Sequence, residues 1–304
     1  MAQAGDGNRR AARRRALLLA VGLLIFASLA LASSAAAKLS GNYTRFANCP
    51  YKDPAASKCV YATTEGGEIV LGARKVPIAN PAILQGAYTE GDKQGNSKFI
   101  AATNGITLSK APQPLPGGLA GIVAPEGSPP LVKAVIALLF DNPVSDVSAS
   151  LELARPAAEI LVNEANFAGE LGAALRLPVK IHLENPLLGP SCYLGSSRSP
   201  IYWNLTSGKT SPPKPAKPIE GSAGEIEFLE EGSLLEAKGT TLVDNAWAAP
   251  LAGGCGGPLS SLIDPIVNDS AGLPAAAGEN VAVLDNSAFI TPAAAVKINE
   301  GEKP

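Results

Sequence analysis

Hydrophobic and polar residues alternate with a period of two over several stretches of this chain. In Val147–Leu153 (VSASLEL), Val147, Ala149, Leu151 and Leu153 share one face, with Ser148, Ser150 and Glu152 on the other. That is the pattern of a half-buried strand. Pro178–Leu183 (PVKIHL) repeats it, with Val179, Ile181 and Leu183 inward and His182 on the opposite, solvent-facing side. Ile201–Thr206, Glu225–Leu229, Thr240–Val243 and Val281–Leu284 predict further strands. Shorter runs at Ala82–Ala87, Lys98–Ala102 and Ile106–Leu108 are each bounded by Gly, Pro or Asn. Cys59–Thr64 and Glu68–Leu71 flank Glu65-Gly66-Gly67, which predicts a hairpin around a Gly-Gly turn.

Helical spacing is rarer. Leu259, Leu262, Ile263 and Ile266 fit one helix face, and Pro265 should end or bend that helix. Ala157–Leu175 has room for a helix or two short turns. Leu131–Phe140 (LVKAVIALLF) suits a buried strand or a short helix by length. The sharp stop at Asp141-Asn142-Pro143 favours the strand. Lys110–Pro130 holds six prolines and four glycines and reads as loop. Ser211–Pro218 (SPPKPAKP) reads as a polyproline-like excursion. The expected fold is mainly β: an antiparallel β-sandwich-like arrangement with one or two short helices and long Pro/Gly loops. The expected domains are an N-terminal β-hairpin module at 38–120 and a main β-sandwich domain at 121–304.

The first 37 residues form a different region. Five arginines between Arg9 and Arg15 precede an apolar run from Ala16 to Ala32, and Ser33–Ala37 are small. A basic segment, an apolar helix and an A-x-A-like end make a secretory signal peptide cleaved after Ala37. The run is about 17 residues, so an uncleaved transmembrane helix, a signal anchor over residues 16–37, is the alternative. Export places the chain outside the cell or in the cell envelope, touching membrane only through that segment if it stays. Removing the five arginines and Asp6 from the 25 basic and 27 acidic residues leaves 20 and 26, a net charge of about −6. An acidic chain with no basic stripe is no nucleic-acid binder.

Cys49, Cys59, Cys192 and Cys255 all follow the signal, and an even count in an exported chain reads as two disulfides. Three pairings are possible; Cys49–Cys59 with Cys192–Cys255 is the favoured one. No CxxC spacing is present and His182 is the single histidine, which argues against zinc. No G-x-S-x-G elbow accompanies it either, so no catalytic residue, metal or cofactor is assigned. Glu225 and Glu227 share a strand face and could serve a secreted glycoside hydrolase, although a solvated acidic face is the plainer reading. Tyr193, Tyr202 and Trp203 cluster near Cys192 as a possible binding groove or as core aromatics beside a disulfide. Four apolar runs end in an acid and Asn: Asp141-Asn142, Glu184-Asn185, Asp244-Asn245 and Asp285-Asn286. Turn chemistry at strand ends explains them; a calcium site is the sharper alternative.

Arg176–Ser196 (RLPVKIHLENPLLGPSCYLGS) and Asn48–Ala62 (NCPYKDPAASKCVYA) resemble segments of uncharacterised secreted proteins of actinobacteria. So do Gly117-Gly118-Leu119 and the region from Gly272-Leu273-Pro274 to Gly278-Glu279-Asn280. The resemblance covers most of the chain after the signal, and the four cysteines coincide. It implies export and a shared fold, and no activity comes with it. The expectation is therefore an exported non-enzymatic structural or binding protein with an envelope or extracellular ligand. The alternative is a carrier of lipid or another apolar ligand.

Overall fold

The structure is a computed structural model that describes residues 38–118, 127, 129–130, 133–134 and 146–301. The predicted signal helix lies outside these residues. Of Leu131–Phe140 only Lys133 and Ala134 are described, and they are helical rather than extended.

The described chain is mainly β. In order the strands are β1 (Lys58–Leu71), β2 (Arg74–Pro77), β3 (Ala82–Tyr88), β4 (Ser97–Ala101), β5 (Gln113–Leu115), β6 (Val147–Leu153) and β7 (Leu161–Val162). Then come β8 (Leu175–Glu184), β9 (Tyr193–Leu194), β10 (Ile201–Leu205), β11 (Glu225–Leu229), β12 (Leu234–Asp244), β13 (Ala252–Gly253) and β14 (Val281–Pro292). Besides the helical Lys133 and Ala134, three short helices accompany them among the described residues: α1 (Glu164–Gly169), α2 (Ser260–Ala271) and α3 (Ala293–Asn299).

All strand pairs are antiparallel and belong to one continuous sheet, with the order β11-β12-β14-β1-β3-β4-β7-β8-β6-β5. β10 pairs with β8 beside β7 and β6. Thr206, one residue past β10, then exchanges both backbone hydrogen bonds with Val243 of β12, each 2.9 Å. The hydrogen-bonded path thus returns on itself through β12, β14, β1, β3, β4, β7, β8 and β10. β1 lies between β14 and β3. The strands expected in a separate N-terminal module therefore share a sheet with those of the main domain, and Leu39–Pro304 forms one compact unit.

Several local expectations change. Glu65-Gly66-Gly67 is not a hairpin turn: β1 runs unbroken for 14 residues, with a bulge between Thr64 and Gly66 against β14. Gly67 has φ +102°, and a Cβ there would sit 2.1 Å from the Val283 carbonyl oxygen. Glycine is needed for close approach of two strands, not for chain reversal. The Pro-rich loop 110–130 contains β5, paired with β6 through Gln113↔Ala149. α2 continues through Pro265 to Ala271 and stops at Gly272, whose φ of 65° makes it a left-handed cap. Pro265 is the sixth of the helix's twelve residues, where it removes one hydrogen bond to the preceding turn without ending the helix. Ala157–Leu175 divides into a 3-10 turn, β7 and α1.

The structure pairs Cys49 with Cys59 and Cys192 with Cys255. The first lies in a satellite core with Tyr43, Phe46, Leu234, Ala293 and Val296, where α3 and the 3-10 turn Gly41–Phe46 meet the sheet. The second ties β9 to the loop before α2. There Asp264 accepts the Cys255 N–H (2.7 Å) and Asn268 accepts the Ala252 N–H (2.7 Å), fixing α2 against the sheet.

Candidate functional site

An apolar cavity of about 130 Å³ lies within the sheet. Strand parity places its walls. On β8 the odd residues Leu175, Leu177 and Ile181 line it, opposite Ala149 and Leu151 of β6. On β10, Trp203 and Leu205 do the same, with Trp203 paired to Leu177. β1 shows what its bulge accomplishes. Ala62 and Thr64 before it and Ile69 and Leu71 after it all line the cavity, so the extra residue switches which parity faces inward. On β14 and β12, Leu284, Asn286 and Leu242 complete that side. α1 adds Phe167. Its start is held by Asn163, whose side chain accepts the Asn166 N–H (3.0 Å), and by Glu164, which accepts from the buried Tyr88 hydroxyl.

Among the described residues, no charged side chain lines this cavity. The polar ones are mostly engaged with the protein itself. Gln113 accepts from Ala79 N–H (2.7 Å) and donates to the Asn80 and Ala111 carbonyls. Thr64 donates to Asn286 (2.7 Å), and Thr240 donates to the Asn286 carbonyl. Ser109 accepts the Ile83 N–H, and Ser150 donates to Glu184. Trp203 differs: it is fully buried and its indole N–H has no acceptor.

No family model, curated protein or solved structure matches this chain. The site is therefore read from its own chemistry.

The three aromatics expected in one groove separate. Trp203 faces the cavity and packs edge-on to Trp247 with ring centroids 5.8 Å apart. Tyr202, its neighbour, has opposite parity and lies under the Arg176 guanidinium (4.5 Å). Tyr193 pairs with His182 across β9 and β8, also on the outer side. Alternation within IYWNL was the signal that divides Tyr202 from Trp203.

His182 is buried rather than solvent-facing, at 9% exposure. Tyr193 stacks on its ring at 4.3 Å with an interplanar angle of 13°. Its Nδ1 lies 3.5 Å from Glu152 and 3.9 Å from Glu184, but neither ring nitrogen makes a hydrogen bond. Lys180 pairs with Glu152 (3.0 Å) and Lys110 with Glu184 (3.2 Å). Each carboxylate thus has its own ammonium partner. Burial opposes ionisation of Glu184. The Ser150 and Lys110 hydrogen bonds and the positive charge nearby outweigh it and hold the carboxyl below its ordinary value.

Glu225 and Glu227 lie on the exposed strand β11, where Glu227 pairs with Lys238 (2.9 Å). The acid–Asn pairs do not share one role. Asn185 caps a turn by accepting the Leu187 N–H, and Asp244 accepts from Asn204 and Ala246 backbone (2.7 and 2.8 Å). Burial nevertheless pushes the Asp244 carboxyl up. Asp285-Asn286 sits within β14, not at a strand end. Asp141-Asn142 lies outside the described residues.

Proposed function

We propose that this chain is an exported, non-enzymatic binding protein that encloses a small apolar molecule within its sheet. The apolar cavity carries this reading. In it the sheet wraps as a flattened barrel, and its two broad walls pack toward each other as sandwich faces do. A cavity of about 130 Å³ is comparable with apolar protein cavities of about 150 Å³ that stay dry and take up benzene. This size favours a compact guest over a whole lipid. Burial of the guest's apolar surface supplies the affinity. The two disulfides fit an oxidising environment, as an exported protein meets. Among the described residues, no helix is long and apolar enough to cross a membrane.

The test is thermal unfolding with and without benzene in sealed cells. Binding stabilises the folded state by about 1.4 kcal/mol when benzene is tenfold above its Kd. Ala149→Leu, which extends a side chain from the cavity wall, should abolish that shift. Identical midpoints with and without benzene in the parent protein would remove the proposal.

A further inference from the structure

We propose that β11 is a docking edge for a partner protein, which adds to it an extended strand of alternating basic and apolar residues. The proposal does not depend on the cavity. Among the described residues β11 pairs only with β12, so its other backbone edge is free. Two cross-strand rows show what its side chains present. Ala62, Ala288, Ala237 and Ile226 lie opposite one another from β1 through β14 and β12 to β11, and Val60, Ile290, Leu235 and Phe228 form the next row. Ala62 and Ala288 line the cavity, and Val60 and Ala237 are buried. At β11 the cover ends: Ile226 is 37% exposed and Phe228 69%. The apolar inner face of the sheet thus runs out to an open edge, where an added strand would continue it.

The opposite face of β11 sets the charge of the partner. Glu225 and Glu227 project there by alternation, and the hairpin from Glu225 to Lys238 carries five glutamates against one lysine. That lysine is engaged by Glu227 (2.9 Å) and Glu236 (3.3 Å), which leaves Glu225 with no described cation. Lysine or arginine opposite the two glutamates, and apolar residues opposite Ile226 and Phe228, make favourable cross-strand pairs. A second copy of this chain fits poorly. Antiparallel pairing of two β11 strands in full overlap sets Glu227 against Glu227, and like charges directly opposite repel.

The experiment uses the whole protein, ¹⁵N-labelled, and two capped hexapeptides, one alternating lysine with valine and the other glutamate with valine. At millimolar concentration the lysine peptide should shift the amide resonances of β11 and slow their hydrogen exchange, and the glutamate peptide should do neither. Glu225→Lys/Glu227→Lys should weaken the lysine peptide about tenfold and bind the glutamate peptide instead. Phe228→Ser should weaken the lysine peptide about three- to fivefold. All three positions are exposed, so these variants should keep the fold. No shift with the lysine peptide, or equal binding of the two peptides, overturns the proposal. Shifts without slower exchange at β11 overturn strand addition. A dimer of the peptide-free protein in sedimentation, abolished by Phe228→Ser, overturns it in favour of a second copy. Flotation with phosphatidylcholine vesicles, abolished by the same substitution, overturns it in favour of a membrane.

Discussion

Breaking the two disulfides one at a time should cost unequal amounts of stability, in an order set by the loops they close. Cys192 and Cys255 are 63 residues apart, Cys49 and Cys59 only 10. If a cross-link acts mainly by restricting the unfolded chain, its worth grows with the logarithm of loop length. That gives about 4.3 kcal/mol for the long loop and about 2.7 kcal/mol for the short one. Replacing each pair by alanines removes two buried sulfurs in either case, so packing losses largely cancel in the comparison. The difference, about 1.6 kcal/mol, should appear as a lower urea midpoint for the Cys192→Ala/Cys255→Ala variant. The long loop also contains the Pro-rich excursion, β10, β11 and β12. Its release frees the strand carrying Trp203. Equilibrium urea unfolding followed by far-UV circular dichroism measures both variants. A larger loss for Cys49→Ala/Cys59→Ala would refute the loop-entropy reasoning and place the dominant stabilisation in the satellite core around Phe46.

Other outcomes follow from particular contacts. Gly67→Ala should be severely destabilising, by several kcal/mol, because its Cβ meets the Val283 carbonyl oxygen. Gly105→Ala, also at positive φ but in open space, should cost only about 1–2 kcal/mol, and paired thermal melts compare them. Glu184 has a lowered carboxyl value, so its contribution is fully present above the ordinary value of 4.5 and is lost as pH falls below it. Glu184→Gln should therefore flatten the acid limb of the stability–pH profile; an unchanged limb would show that other carboxylates set it.

Much of the β content was legible because it depends on local alternation. β6 occupies the segment its period-two pattern predicts, β8 extends the alternating segment Pro178–Leu183 to Leu175–Glu184, and β10 covers Ile201–Leu205 of the predicted Ile201–Thr206. What local pattern cannot show is the neighbour. His182 looks solvent-facing along its own strand and is buried because Tyr193, eleven residues later, folds over it. Gly66-Gly67 has the composition of a turn, but β14, arriving from the other end of the chain, makes it a bulge. The cavity is least legible of all. It needs closure of the sheet through Thr206 and Val243, and an inward switch of parity midway along β1. Neither leaves a mark within a window of ten residues. Grouping Tyr193, Tyr202 and Trp203 by chain proximity picked a residue of the cavity wall, but strand parity sends its companions to the outer side.

The most direct test of the central claim is the structure of the protein crystallised under benzene or pressurised xenon. The account predicts density between Trp203, Leu177 and Leu284, absent in Ala149→Leu. A cavity that stays empty in both proteins, with unchanged thermal midpoints, would contradict it.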